Sequence, residues 1–268
     1  MPTNGVLFVA TGQRELEVGR SYIEEAEQAA AQLNARTDLR TVLFTDRADL
    51  SGSPFSDVIE IEDPDYGFRD KVKCMKRTPF DRTLFLDTDT WVTTDIADIF
   101  SLLDNCALAV AHDPVHGERE LAGVPSAFPE FNTGVLLYRN DPPVREFFDS
   151  WLRTFDEDTE DRISLDQPAF RKALFESDLR YVTLTREWNC RYNQNGMIAG
   201  EPRILHGRLP HPRKAERALK PGSVYRRTWF RLQSLRSRRY LPYYGKVAYR
   251  KLKRDGIRET VSQALEQV

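Results

Sequence analysis

The amino-acid sequence predicts an α/β fold, with a mostly parallel central sheet covered by helices on both faces and a basic helical C-terminal extension. Three observations carry that prediction. Short apolar runs alternate with helical patterns through most of the chain. The runs are near-continuous in Val, Leu and Phe, as in strands buried on both faces, rather than alternating apolar with polar. The length, 268 residues, is enough for one elaborated domain or a domain with an appendage.

In chain order, residues 6–10 (VLFVA) read as the first strand. Residues 15–35, rich in Ala, Glu and Leu, read as a helix. Residues 41–45 (TVLFT) and 58–61 (VIEI) are the next strands, followed by 83–86 (TLFL), 107–111 (ALAVA) and 133–138 (TGVLLY). Helices are expected at 95–103, 144–155 and 165–176. In such a sheet, ligands bind at the carboxyl ends of the strands.

Charge divides the chain. Residues 208–268 hold 17 Lys+Arg against 4 Asp+Glu, a balance of +13, whereas 1–207 hold 22 basic and 37 acidic residues, a balance of −15. The expected organisation is therefore an acidic body, 1–207, and a basic extension, 208–268. No apolar run approaches the roughly 20 residues that span a bilayer. MPTNGVLFVATG has no basic region ahead of its apolar stretch and no cleavage signal, so it reads as a strand and not a signal peptide. Cys74, Cys106 and Cys190 are odd in number and without a CxxC, which suits a reducing compartment and predicts a cytoplasmic protein.

Residues 83–95 read TLFLDTDTWVTTD. Two carboxylates, Asp87 and Asp89, close an apolar strand, where like charges resist burial unless something positive compensates them. The pattern also occurs at Asp63-Pro-Asp65 and Asp156-Glu-Asp158, but the first leads into a turn and the second lies in a charge run. One reading is a strand–loop junction whose aspartates cap the next turn. The other is a site for a divalent metal and a diphosphate. Oxygen ligands suit Mg²⁺ or Mn²⁺, an added imidazole shifts the preference to Mn²⁺, and the ion stabilises charge on a leaving diphosphate. An aspartyl-nucleophile phosphatase is a poor fit, because Trp91 stands two residues beyond Asp89 and the motif is not on the first strand.

RTPFDRTLFLDTDTWV, FPEFNTGVLLYRN, SLDQPAF, EWNCRYN and RILHGR occur in that order. Together they resemble the metal-dependent nucleotide-sugar glycosyltransferases of the GT-A fold, and within them family eight, over roughly residues 5–208. The resemblance implies that Asp87 and Asp89 are metal ligands, Asp87 also lying near the ribose, and that His206 completes the metal sphere. It implies donor contacts from Ala10, Thr11, Lys71, Asn132 and Gly134, with Lys73 as the rival to Lys71. It places Asp166 against a sugar hydroxyl and Gln167 near the reacting carbon, as the catalytic pair. Asp166 is also a good N-cap for a helix starting at Gln167-Pro168. Trp188, Asn189, Arg191 and Tyr192 are expected in the pocket floor. The family's Lys-Pro-Trp element is missing from HGRLPHPRK, and Arg208 or Arg213 is the expected phosphate clamp. The implied activity is a retaining transfer from a UDP-sugar to a glycan or lipid-linked acceptor.

Residues 226–254 are basic and aromatic. Trp229, Phe230, Leu232 and Leu235 fit one helical stripe, with Tyr240, Tyr243 and Tyr244 near Pro242. Such a segment suits an anionic membrane surface, which would make the protein peripheral on its cytoplasmic face. It equally suits a helical lid paired with the acidic body. Nucleic acid is a poorer partner, since no recognised binding motif accompanies the charge. The functional rivals are a sugar-phosphate nucleotidylyltransferase, of which ATGQRELEVGR is a weak signature, and a non-catalytic nucleotide-sugar binding protein.

Overall fold

The computed structural model describes residues 2–12, 21–47, 49–113, 120–159, 165–192, 194, 196–209, 211–219 and 227–229. The chain divides into two units, Met1–Arg227 and Thr228–Val268, and of the second only residues 228–229 are described. Most of the expected basic extension, with its aromatic stripe and tyrosine cluster, lies outside the described residues. Arg227–Trp229 is a short strand where a helix was expected, in keeping with its threonine and tryptophan.

Seven strands form the main sheet. They are β1 (Asn4–Ala10), β2 (Arg40–Thr45), β3 (Asp57–Glu60), β4 (Arg82–Leu86), β6 (Leu108–His112), β7 (Phe131–Arg139) and β8 (Tyr181–Leu184), in the order β3-β2-β1-β4-β7-β6-β8. Neighbours pair in parallel except β7, which runs antiparallel to both β4 and β6. Successive residues point to opposite faces, and both faces are buried. Val6, Phe8, Leu84, Leu86, Val135 and Leu137 enter one core, while Leu7, Phe85, Leu136 and Tyr138 enter the other. That two-sided burial, about 1.5–3 kcal/mol for each large apolar side chain, is why these strands read as unbroken apolar runs.

Helix α1 (Tyr22–Asn34) lies on the first face. Its start is set by a capping box: Ser21 Oγ accepts from the Glu24 amide (3.2 Å) and Glu24 Oε2 accepts from the Ser21 amide (2.7 Å). The part of the expected helix before residue 21 lies outside the described residues. The helix expected at 95–103 is a 3-10 helix, Ala97–Asp104. The opposite face carries α2 (Phe68–Lys76), α3 (Pro142–Thr159) and α4 (Gln167–Phe175), with Phe147, Trp151 and Phe170 in edge or tilted ring contacts. A two-stranded ribbon joins β5 (Thr90–Val92) to β10 (Ile204–His206). Between these, β9 (Gly196–Ile198) precedes β10, and α5 (Pro212–Leu219) follows it. The cysteines are free and buried. No helix among the described residues is long and apolar enough to cross a membrane.

Candidate active site

Strand β4 delivers its carboxyl end to the middle of the sheet, and the chain turns at once. The Asp87 amide donates to Gly134 O on β7 (2.8 Å), and Asp87 O accepts from both the amide (3.2 Å) and the hydroxyl (2.8 Å) of Thr90. This tight turn holds Asp87 and Asp89 together and starts β5. The antiparallel register of β5 with β10 sets Thr90 opposite His206, and Gly207 N donates to Asp89 O (3.0 Å). Gly207 has φ 117°, a conformation that favours glycine. Backbone pairing alone therefore brings a late histidine to the acid pair.

His206 Nε2 lies 3.3 Å from Asp89 Oδ1 and 3.6 Å from Asp87 Oδ2. One ligand atom from each of the three residues falls within 4.8 Å of the others, a group able to hold a metal ion. Two carboxylate oxygens and an imidazole nitrogen are a donor set that Mn²⁺ accepts. The space between them depends on Gly134, since a Cβ there would lie 2.2 Å from His206 Cε1 and 2.5 Å from Asp87 Oδ2. Burial disfavours the charged carboxylates, yet Lys71 and His206 hold Asp87 below the usual carboxylate range, and His206 does the same for Asp89. Burial likewise opposes the imidazolium, and Asp89 and Asp87 outweigh it, raising the His206 pKa.

Behind this group, α2 inserts Lys71. Its ammonium reaches Asp166 Oδ2 (3.1 Å) and Asp87 Oδ1 (3.5 Å) and donates to Thr133 Oγ1 (2.9 Å). Burial works against the charge, but Asp166 and Asp87 prevail and its pKa is raised. Lys73 instead pairs with Asp65 (2.5 Å) at the surface. Asp166 precedes α4 but makes no side-chain cap bond, which corrects the capping expectation. Its Oδ2 is taken by Lys71 and by the Thr133 hydroxyl (2.8 Å). Gln167 Nε2 donates to Asp113 Oδ2 (3.1 Å) and Phe131 O (2.8 Å), leaving Oε1 as the other end of the amide.

These residues line one cavity of about 520 Å³ together with Ala10, Thr11, Asn132, Gly134, Arg191 and Arg208. Thr11 donates its hydroxyl to Asp70 Oδ2 (2.9 Å), and the turn beyond it needs Gly12 at φ 83°. Arg208 is held at the cavity wall by Glu25 (3.4 Å) and the Tyr22 ring (5.3 Å). Arg213 lies elsewhere, lining a second cavity with Trp91 and His211. Trp188 packs against the core and the Arg203 guanidinium and does not line the main cavity, and neither does Tyr192.

Sequence reasoning did not single out Asp113, Glu25 or Asp70, and it named Thr133 only within the Asn132-Thr133-Gly134 segment. Asp113 accepts from Asn132 Nδ2 (3.3 Å), Gln167 Nε2 and Arg191 Nη1 (3.4 Å), so one buried carboxylate orients three pocket residues. Its signal was present: it follows the strand run ALAVAH as Asp87 follows TLFL.

No protein-family model and no curated protein sequence matches the chain. Solved structures do. The glycosyltransferase GlyE of Streptococcus pneumoniae TIGR4 matches with a TM-score of 0.53 at 21% identity, over 76% of this chain and 55% of GlyE. Its apo form gives a TM-score of 0.54 at 21% identity. The chain thus spans about half of GlyE's length. The galactosyltransferase LgtC, solved with donor and acceptor sugar analogues, matches at 16% identity over 69% of this chain and 74% of LgtC. Its TM-score of 0.47 is too low to argue from. At such identities the likeness is one of fold alone, and this chain shares the GT-A fold of GlyE.

Proposed function

We propose that the chain is a metal-dependent glycosyltransferase that moves a sugar from a UDP-sugar to an acceptor hydroxyl with retention of configuration. The observation that carries this reading is the meeting of Asp87, Asp89 and His206 at the carboxyl end of β4, in a cavity that also holds Lys71, Asp166 and Arg208. A diphosphate beside two carboxylates is repelled unless a cation lies between them. Asp87, Asp89 and His206 would hold Mn²⁺ or Mg²⁺, which would supply Lewis-acid stabilisation of charge on the leaving diphosphate.

The chain's own residues supply the rest. Arg208 offers a guanidinium to the phosphates, and Lys71 adds fixed positive charge behind Asp87. Asp166 is placed to accept a sugar hydroxyl. Gln167, whose amide nitrogen is fully engaged, presents a carbonyl oxygen to positive charge growing on the reacting carbon. Among the described residues no side chain stands out as a covalent nucleophile. The diphosphate therefore departs on the face by which the acceptor hydroxyl enters, and the hydroxyl proton passes to the leaving phosphate. The acceptor is a glycan or a lipid-linked sugar.

Incubating the protein with Mn²⁺ and individual UDP-sugars, and following UDP release, tests the reading. Release that requires a divalent ion and is abolished by Asp87→Ala is expected. Full activity of Asp87→Ala in the presence of chelator would remove the metal from the mechanism, and the absence of metal-linked binding of any sugar nucleotide would end the proposal.

A further inference from the structure

The two ring nitrogens of His206 face different partners. Nε2 faces Asp87 and Asp89, and Nδ1 lies 2.8 Å from Asn189 Oδ1. Which nitrogen carries the proton of the neutral ring decides whether a lone pair points at the acid pair. The amides behind the ring settle that choice. The Gly134 backbone N–H can only donate, so the Asn132 atom 3.2 Å away is its carbonyl oxygen. The opposite end of the same amide, Nδ2, then meets the Asp113 carboxylate at 3.3 Å, as an N–H should. Asn132 Oδ1 takes a second bond from Asn189 Nδ2 (2.8 Å), which turns Asn189 Oδ1 toward the histidine. A carbonyl oxygen only accepts, so its hydrogen bond to the ring requires a hydrogen on Nδ1, in competition with the pull of the Asp87 and Asp89 carboxylates on Nε2. Asn132, Asn189 and His206 are 3%, 5% and 4% exposed, so little water competes for these bonds.

We propose that Asn132 and Asn189 are positioning residues that carry the fixed polarity of the Gly134 backbone amide to His206, keeping it as the Nδ1–H tautomer with its Nε2 lone pair directed at Asp87 and Asp89. The function assigned to this relay rests on the reading of the three residues as a divalent-cation site. Partners that donate or accept behind a ligating histidine fix its tautomer and raise its basicity, and their loss costs about 10–100-fold in metal affinity.

Two measurements on the full chain test it. The first is the long-range ¹H–¹⁵N correlation spectrum of metal-free protein at alkaline pH, where the ring is neutral. A protonated Nδ1 with a bare Nε2 is expected, and a protonated Nε2 overturns the relay. The second is Mn²⁺ titration by electron paramagnetic resonance. Asn189→Leu, which removes both amide groups at similar volume, should bind Mn²⁺ about 10–100-fold more weakly. Equal binding by a folded Asn189→Leu overturns the proposal, and the spectrum of the unsubstituted protein decides it should that variant not fold. Absence of Mn²⁺ binding alongside an intact Nδ1–H ring defeats the metal reading and upholds the relay, so the two failures are distinct.

Discussion

Gly134→Ala is the sharpest single perturbation of this site. Gly134 sits in β7, and its φ is not in the positive region, so an alanine meets no backbone penalty there and the cost is purely steric. The added Cβ would lie 2.2 Å from His206 Cε1, 2.5 Å from Asp87 Oδ2 and 2.8 Å from His206 Nε2. Carbon contacts settle near 3.5–4.0 Å, so the imidazole or the carboxylate must retreat by about 1 Å or more. Metal–ligand distances tolerate only about ±0.2 Å, and a displacement several times larger should cost about 100-fold or more in Mn²⁺ affinity. The fold suffers less. Overpacking costs about 1–3 kcal/mol, and at about 2–4 °C per kcal/mol for a body of this size the melting temperature falls by about 2–12 °C. Gly5→Ala is the matched control, because its Cβ would come 2.2 Å from Phe80 Cζ, in the core away from the acid pair. Calorimetric Mn²⁺ titration with thermal melts separates the two. A Gly134→Ala protein that binds Mn²⁺ like the parent, or a Gly5→Ala protein that loses the metal equally, would refute the reasoning.

Three further outcomes follow from the same geometry. Lys71→Met leaves Asp166, 3% exposed, without its ammonium, and loss of one partner of such a buried pair should lower stability by about 3–5 kcal/mol in urea unfolding; an unchanged midpoint contradicts this. Against burial, Asp89 and Asp87 hold His206 above the ordinary histidine value of 6.5, so its contribution is complete below about pH 6.5 and is lost as pH rises through the raised folded-state pKa. Metal-free protein should therefore melt progressively lower across that window while Mn²⁺ binding strengthens, and a flat melting profile counts against the pairing. Arg208→Ala should weaken UDP binding by about tenfold or more, as loss of a charge-assisted hydrogen bond predicts, whereas Arg213→Ala should leave it unchanged; calorimetry that finds the reverse would exchange their roles.

What was legible in the sequence has a common physical basis. Strands β1, β2, β4, β6 and β7 announce themselves because burial on both faces demands unbroken apolar residues. The ribbon of β5 and β10 does not, since each strand is three residues long and finds its partner far along the chain. Yet that ribbon is what delivers His206. Helix α2, FRDKVKCMK, reads as a charged segment, and its buried face nevertheless contains Asp70 and Lys71. Their burial makes sense only beside Thr11, Asp87 and Asp166, which no local pattern reveals. The resemblance supplied Asp87, Asp89 and His206 as a set, while the amide relay behind them depends on donor and acceptor polarity, which residue spacing does not encode.

The charges of the cavity impose an order on what can bind there. Without metal, Asp87, Asp89 and Asp166 face one ammonium, Lys71, that is locked in place by three partners, the guanidinium groups of Arg191 and Arg208 in the cavity wall, and one imidazole whose proton the acid pair stabilises. Lys71 cannot be withdrawn without stranding Asp166, so the proton on His206 is the exchangeable charge. Exchanging it for a divalent ion adds one positive charge beside the acid pair. That increment is what a diphosphate approaching two carboxylates needs. Metal and nucleoside diphosphate should accordingly bind with positive coupling, and linkage requires the coupling to be reciprocal. Mn²⁺ should tighten UDP, and UDP should tighten Mn²⁺, by the same factor. Independent binding of the two in calorimetric titrations would mean that the diphosphate does not lie against the ion held by Asp87, Asp89 and His206.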